Sequence, residues 1–88
     1  MKTSVKNMTS SNGNTIANQF VISTSTSEIF QSYDSVIVKQ TRKNTYLDSR
    51  YWNYSKTTSK YRNIFLGETT KETQSKIDRG EYKLTNLN

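Results

Sequence analysis

The chain holds 88 residues with a net charge of +6 and only 31% hydrophobic residues, enough for one lean domain and no second core. It has no Cys and no His, which excludes disulfide frameworks, thiolate zinc sites, cysteine nucleophiles and Ser-His-Asp triads. General base work would fall to a perturbed carboxylate, Lys or Tyr.

Residues 1–11 carry Lys2 and Lys6 but no apolar stretch. They do not read as a signal peptide and form either an N-terminal arm or the first strand of a hairpin. Residues 12–88 read as a single α+β domain. Asn12-Gly13 is the strongest two-residue signal for a type I′ turn, which needs positive φ at both central positions. Residues 15–24 then alternate, with Ile16, Phe20 and Ile22 on one face and Ala17, Gln19 and Val21 on the other. The Ser/Thr run at 23–27 is a turn. Two β-rich pieces follow, 29–33 and 36–38, joined at Tyr33-Asp34-Ser35 by either a bulge or a tight turn. Arg42-Lys43-Asn44 is the next turn, and 45–47 a short strand.

From Asp48 the periodicity changes. Tyr54, Thr57, Thr58, Tyr61, Ile64 and Phe65 share one face at helical spacing, with Lys56, Lys60 and Asn63 opposite. Ser55 is the expected N-cap and Gly67 the left-handed stop. Thr69 with Glu72 fits a capping box opening a second helix that Gly80 ends. Residues 82–87 close the chain as a strand, with Tyr82 and Leu84 facing one way. Strands followed by helices predict an α+β fold, a small antiparallel sheet with one or two helices packed on one face.

The charge is concentrated. Residues 1–38 and 63–88 each sum to zero, so the whole +6 lies in 39–62, where Lys39, Arg42, Lys43, Arg50, Lys56, Lys60 and Arg62 face Asp48 alone. Tyr46, Tyr51, Trp52, Tyr54 and Tyr61 share that segment, and cations interleaved with rings suit phosphates and bases. Tyr54, Tyr61 and Trp52 are better explained as core, which leaves Tyr51 as the ring expected at the surface. The partner-binding candidates are therefore Arg50, Tyr51, Lys56, Lys60 and Arg62. The acidic residues show no metal-ligand spacing, and the three glycines fit turns or helix stops. No catalytic residue, metal site or cofactor is expected. No apolar run nears the ~18 residues that cross a bilayer, so no membrane partner is expected and the cytoplasm is the expected location. With 17 Leu, Ile, Val and Phe in all, a homodimer stays open as a way to complete the core.

Asn12-Gly13-Asn14 leading into Ala17-Asn18-Gln19-Phe20, and Tyr51-Trp52-Asn53-Tyr54-Ser55-Lys56 leading through Tyr61-Arg62-Asn63 to Phe65-Leu66-Gly67, resemble a family of small proteins of unknown function encoded mainly in phages and mobile elements of low-GC Gram-positive bacteria. With Arg79-Gly80-Glu81-Tyr82 the resemblance covers most of residues 12–88. The usual pattern carries an acidic residue where this chain has Asn53. The resemblance implies a setting in the bacterial host cytoplasm, where short accessory proteins occlude a host machine, some as anti-CRISPR proteins. The expected function is thus a non-enzymatic, stoichiometric inhibitor of a host defence complex, its partner a host protein or ribonucleoprotein effector met through the basic face. Nucleic-acid binding is the alternative, and a small His-free ribonuclease-type toxin a third reading. Acidic mimicry of nucleic acid is excluded by the basic charge.

Overall fold

The computed structural model describes residues 3–10 and 12–88. Its β-branched and aromatic runs form strands β1 (Ser4–Thr9), β2 (Thr15–Ser23), β3 (Ser27–Ser32), β4 (Ser35–Thr41) and β5 (Thr45–Asp48). Helices α1 (Lys56–Leu66) and α2 (Thr70–Asp78) follow, then β6 (Tyr82–Thr85). One sheet takes all six strands in chain order, β1 to β6. Neighbours run antiparallel except β5 and β6, which pair in parallel because the two helices carry the chain back between them. The fold is α+β, as the pattern of strands then helices predicts.

At the N-terminus, residues 4–9 pair antiparallel with β2 as the first strand of a hairpin, one of the two expected alternatives. Of the first eleven residues, 1, 2 and 11 lie outside the described ones. The hairpin turn differs from expectation. Of Asn12 and Gly13, Gly13 alone takes positive φ (81°), where a type I′ turn needs both central residues there. Ser10 N donates to Asn14 O at 2.8 Å and Gly13 N to Ser10 O at 2.9 Å, closing a longer loop of the kind that places glycine at its left-handed position. Tyr33-Asp34 is a tight turn and not a bulge, since Ser32 pairs directly with Ser35 and Tyr33 carries φ 55°.

Two irregularities decide which side chains face the helices. On β4, Phe30 pairs with Val38 but Gln31 with Val36, so Ile37 is an extra residue. Such a bulge breaks the period of two, and both Ile37 and Val38 are buried. On β2, pairing with β1 jumps from Asn7–Phe20 to Thr9–Thr15, with Asn18 at φ 64°. The expected common face of Ile16, Phe20 and Ile22 therefore splits. Ile16 and Val21 pack on the core while Phe20 and Ile22 lie on the opposite face of the sheet and take no part in it.

The core lies between the sheet and the helices. Met8, Phe30, Ile37, Val38 and Leu47 are buried there, with Tyr61, Phe65, Leu66, Ile77 and Tyr82 packed against them. The Phe65 ring stacks on Phe30 at 5.8 Å between centroids. A buried hydrogen bond of 3.0 Å joins Ser32 of β3 to Thr58 of α1. The helix is rotated from its expected setting: Thr58 and Arg62 are the buried positions, while Tyr54 (60% exposed) and Ile64 (56%) face outward. Tyr54 precedes the helix and never joins its inner stripe. The capping box forms as read, with Thr69 and Glu72 bonding each other's main chains. Past β6, which ends at Thr85 and not 87, Asn88 donates to Val36 O and accepts from Val36 N at 3.0 and 2.7 Å.

Candidate functional site

The loop after β5 is built on Asp48. Its carboxylate is 1% exposed and accepts from the main-chain nitrogens of Arg50 (3.1 Å), Tyr51 (2.8 Å) and Leu87 (2.8 Å). Burial alone would push this carboxyl up. The amides of Leu87 and Tyr51, the Asn88 side chain and the Arg50 amide outweigh that and hold it below its ordinary value. The turn they make throws Arg50 to the surface, with its guanidinium over the Tyr51 ring at 5.4 Å. Tyr51 meets Tyr54 edge to face at 5.4 Å. Tyr51 is half-buried and packs against the core, so the exposed ring of this pair is Tyr54. That corrects the expectation on both.

Arg62 departs from the predicted surface altogether. It has 0% exposure and its guanidinium lies 5.1 Å from the centre of the Trp52 ring. Nη1 donates to Trp52 O, and more distantly to Asn53 Oδ1 and Ser59 Oγ, both at 3.3 Å. Nη2 donates to Asn63 Oδ1 at 3.0 Å and Thr70 Oγ1 at 2.7 Å. Neutral acceptors and a π face thus surround the cation, and burial lowers its pKa while nearby Glu68 raises it. The planar fork of arginine suits this multi-point task. Arg62 is the pin that joins loop, α1 and the start of α2, and is not available to a partner. Helical spacing was a sequence signal of it, since Arg62 stands one turn after Thr58 and on another side of the helix from Lys60.

Lys56 and Lys60 are exposed on α1 as expected, one turn apart on a helix capped by Ser55, whose Oγ accepts from Thr58 N at 3.1 Å. Lys60 flanks a groove of about 440 Å³ between α1 and the β1–β2 hairpin, lined by Thr9, Ser10, Ile16, Tyr61 and the exposed Ile64. The ion pairs among the described residues are Lys76–Glu68 and Arg79–Glu81, so Arg50, Lys56 and Lys60 have no carboxylate partner there. Glu68 is engaged three times over, by Lys76, Thr73 and Tyr82. Arg42 and Lys43 form the β4–β5 turn, at the opposite end of β5 from Arg50. The basic segment continuous in sequence is therefore divided in space.

Among the described residues no cluster of acidic side chains is spaced to hold a metal, and no helix is long and apolar enough to cross a membrane. The chain belongs to a family of unknown function, DUF8033, whose pattern matches residues 3–81. It matches no curated protein and no solved structure.

Proposed function

We propose that this protein is a non-enzymatic binding protein that acts as a stoichiometric inhibitor of a host defence complex. Arg50, Lys56 and Lys60 dock on an acidic or nucleic-acid-bearing surface of that complex, with Tyr54 replacing Tyr51 as the aromatic anchor beside them. The observation that carries the reading is the separation of charge. The acidic side chains Asp48, Glu68 and Glu81 are taken up by internal hydrogen bonds and ion pairs, while these three cations remain exposed and without a carboxylate partner among the described residues. Arg and Tyr bring area and donors together and so dominate many interfaces. The phage or mobile-element setting comes from the sequence resemblance, and the lack of His and Cys in the chain favours occupancy over turnover.

The test is affinity capture from a lysate of a low-GC Gram-positive host, followed by titration of the recovered complex. Inhibition should reach completion near a 1:1 ratio. Reversing Lys56 and Lys60 to Glu should slow association more than it speeds dissociation, because charge at an interface rim acts mainly on encounter. Loss of target or RNA that grows with time at substoichiometric protein would overturn the reading in favour of the ribonuclease-type toxin.

A further inference from the structure

The helices cover one face of the sheet and leave the other uncovered by any described element. Register assigns that face residue by residue. Val5, Ile22, Ile29, Lys39, Tyr46 and Lys83 are successive cross-strand partners in one row from β1 to β6. Asn7, Phe20, Gln31 and Val36 form the row beside it. None of the apolar residues among these ten packs on the core cluster, and Val5 is 61% exposed. The other apolar members are half-buried by their neighbours in the sheet.

The chemistry of the two rows is specific. Lys39 and Lys83 flank the Tyr46 ring on adjacent strands, each about 4.8 Å away across the sheet. Phe20 lies three strands from Tyr46 and two residues along, about 16 Å. Asn7 and Gln31 each donate their amide to a main-chain carbonyl, Ile16 O at 3.0 Å and Tyr33 O at 2.8 Å, which leaves the amide oxygens to accept. Neither row holds an acidic residue. Arg42 and Lys43 stand exposed at the rim, in the turn joining β4 to β5.

We infer that this open face is a stacking platform for single-stranded nucleic acid. Charge complementarity selects the occupant. A second copy would set lysine-bearing face against lysine-bearing face with a net charge of +6 on each chain, and no carboxylate in the rows offsets that. A single strand supplies phosphates to Lys39, Lys83, Arg42 and Lys43, and bases whose flat faces stack on Tyr46 and Phe20 and cover the neighbouring aliphatic surface. Rings on an open sheet with cations at their flanks are how sequence-tolerant single-strand binders divide the work between stacking and electrostatics. Duplex DNA keeps its bases stacked on one another, so it would leave the rings unused.

The experiment is fluorescence anisotropy of labelled 12-nucleotide dT and U strands and of a 12-bp duplex, titrated with the full chain across salt. One or both single strands should bind more tightly than the duplex, and the pair of strands separates DNA from RNA as the source. Log affinity should fall with log salt at a slope of about −3 for four phosphate contacts. Tyr46→Leu, which keeps apolar bulk without a ring, should weaken binding about tenfold. Replacing Lys39 and Lys83 by Gln should reduce the slope by about 1.4. Lys83→Gln alone, at an exposed position of the edge strand, gives about half that change and tests the same point should the double variant fail to fold. No single-strand binding at ~20 mM salt, duplex binding as tight as single-strand binding, indifference to Tyr46→Leu, or a dimer that Tyr46→Leu dissolves would each overturn the inference. Because Tyr46, Lys39 and Lys83 lie on the open face and not on α1, the effects of these variants separate this inference from docking of the basic helix on a host complex.

Discussion

The two faces of the sheet draw on similar residues and put them to different ends. Toward the helices, Phe30, Ile37, Val38 and Leu47 have no exposure at all. Away from them, Phe20, Ile22, Ile29, Val36 and Tyr46 remain half-open beside two lysines. In a chain with so few apolar residues, dividing them this way leaves a core of five buried apolar side chains among the described residues. Stability must then rest on each inner contact, and on polar pins such as Arg62 that a larger core would not need. The same contrast runs along α1, where Arg62 is sealed and Lys60, two residues earlier, is exposed.

The sharpest way to break the comparison is to shorten one phenylalanine on each face. Phe30→Ala should cost about 3–5 kcal/mol, enough to unfold most of the population, whereas Phe20→Ala should cost under about 1.5 kcal/mol because its ring is only partly withdrawn from water. Equal losses of thermal midpoint would show that the open face is a second core. Next in size is the pair of cations on α1. Arg62→Met should cost about 2–4 kcal/mol in urea unfolding, since it strands the acceptors of Trp52, Asn63 and Thr70. Lys60→Ala should stay within about 0.5 kcal/mol, and equal effects would remove Arg62 from its role as a pin.

Acid pH probes the carboxylates that hold the loop and α2. Hydrogen bonds lower the pKa of Asp48 and Glu68 against the opposing pull of burial. A carboxylate with a lowered folded pKa contributes its full stabilisation above the unfolded values near 4 and loses it as pH falls through the folded value. The thermal midpoint should therefore drop on acidification below about pH 4, and Asp48→Asn should flatten that decline. A midpoint as steep in the variant as in the parent would refute the role of Asp48. The last expected change is a gain. Asn53 Oδ1 lies 3.3 Å from Arg62 Nη1 and 2.7 Å from Ser59 Oγ, so Asn53→Asp keeps both acceptor contacts and turns the first into an ion pair. It should add about 0.5–1 kcal/mol in urea unfolding; a loss instead would mean that the guanidinium is already satisfied by its neutral partners.

What local chemistry controls was legible in the sequence. Ser55, Thr69 with Glu72, and Gly67 mark helix ends because caps are decided within three or four residues, and they stand where the residues place them. The turns at 24–26 and 42–44 follow from their polar residues in the same way, and the succession of strands then helices sufficed for the α+β class. The exposed positions of Lys56 and Lys60 followed from helical spacing alone.

Which way each side chain points was another matter. A strand's period of two survives only as long as its pairing is regular. The extra residue at Ile37 and the left-handed Asn18 arise from how β4 meets β3 and β2 meets β1, contacts that no window of the sequence contains. With the parity shifted, Gln19 turned inward and Phe20 outward, and the open face came into being. Arg62 is the same lesson on a helix. Charge alone grouped it with Lys56 and Lys60, although two residues past Lys60 it lies on another side of the helix, and the acceptors of Trp52, Asn63 and Thr70 converge on it only once the loop, α1 and α2 are folded together. Sequence by itself determined the elements and their ends, because those energies are local. Tertiary structure alone decided which cations and rings stay exposed, because burial is a property of the assembled sheet and helices.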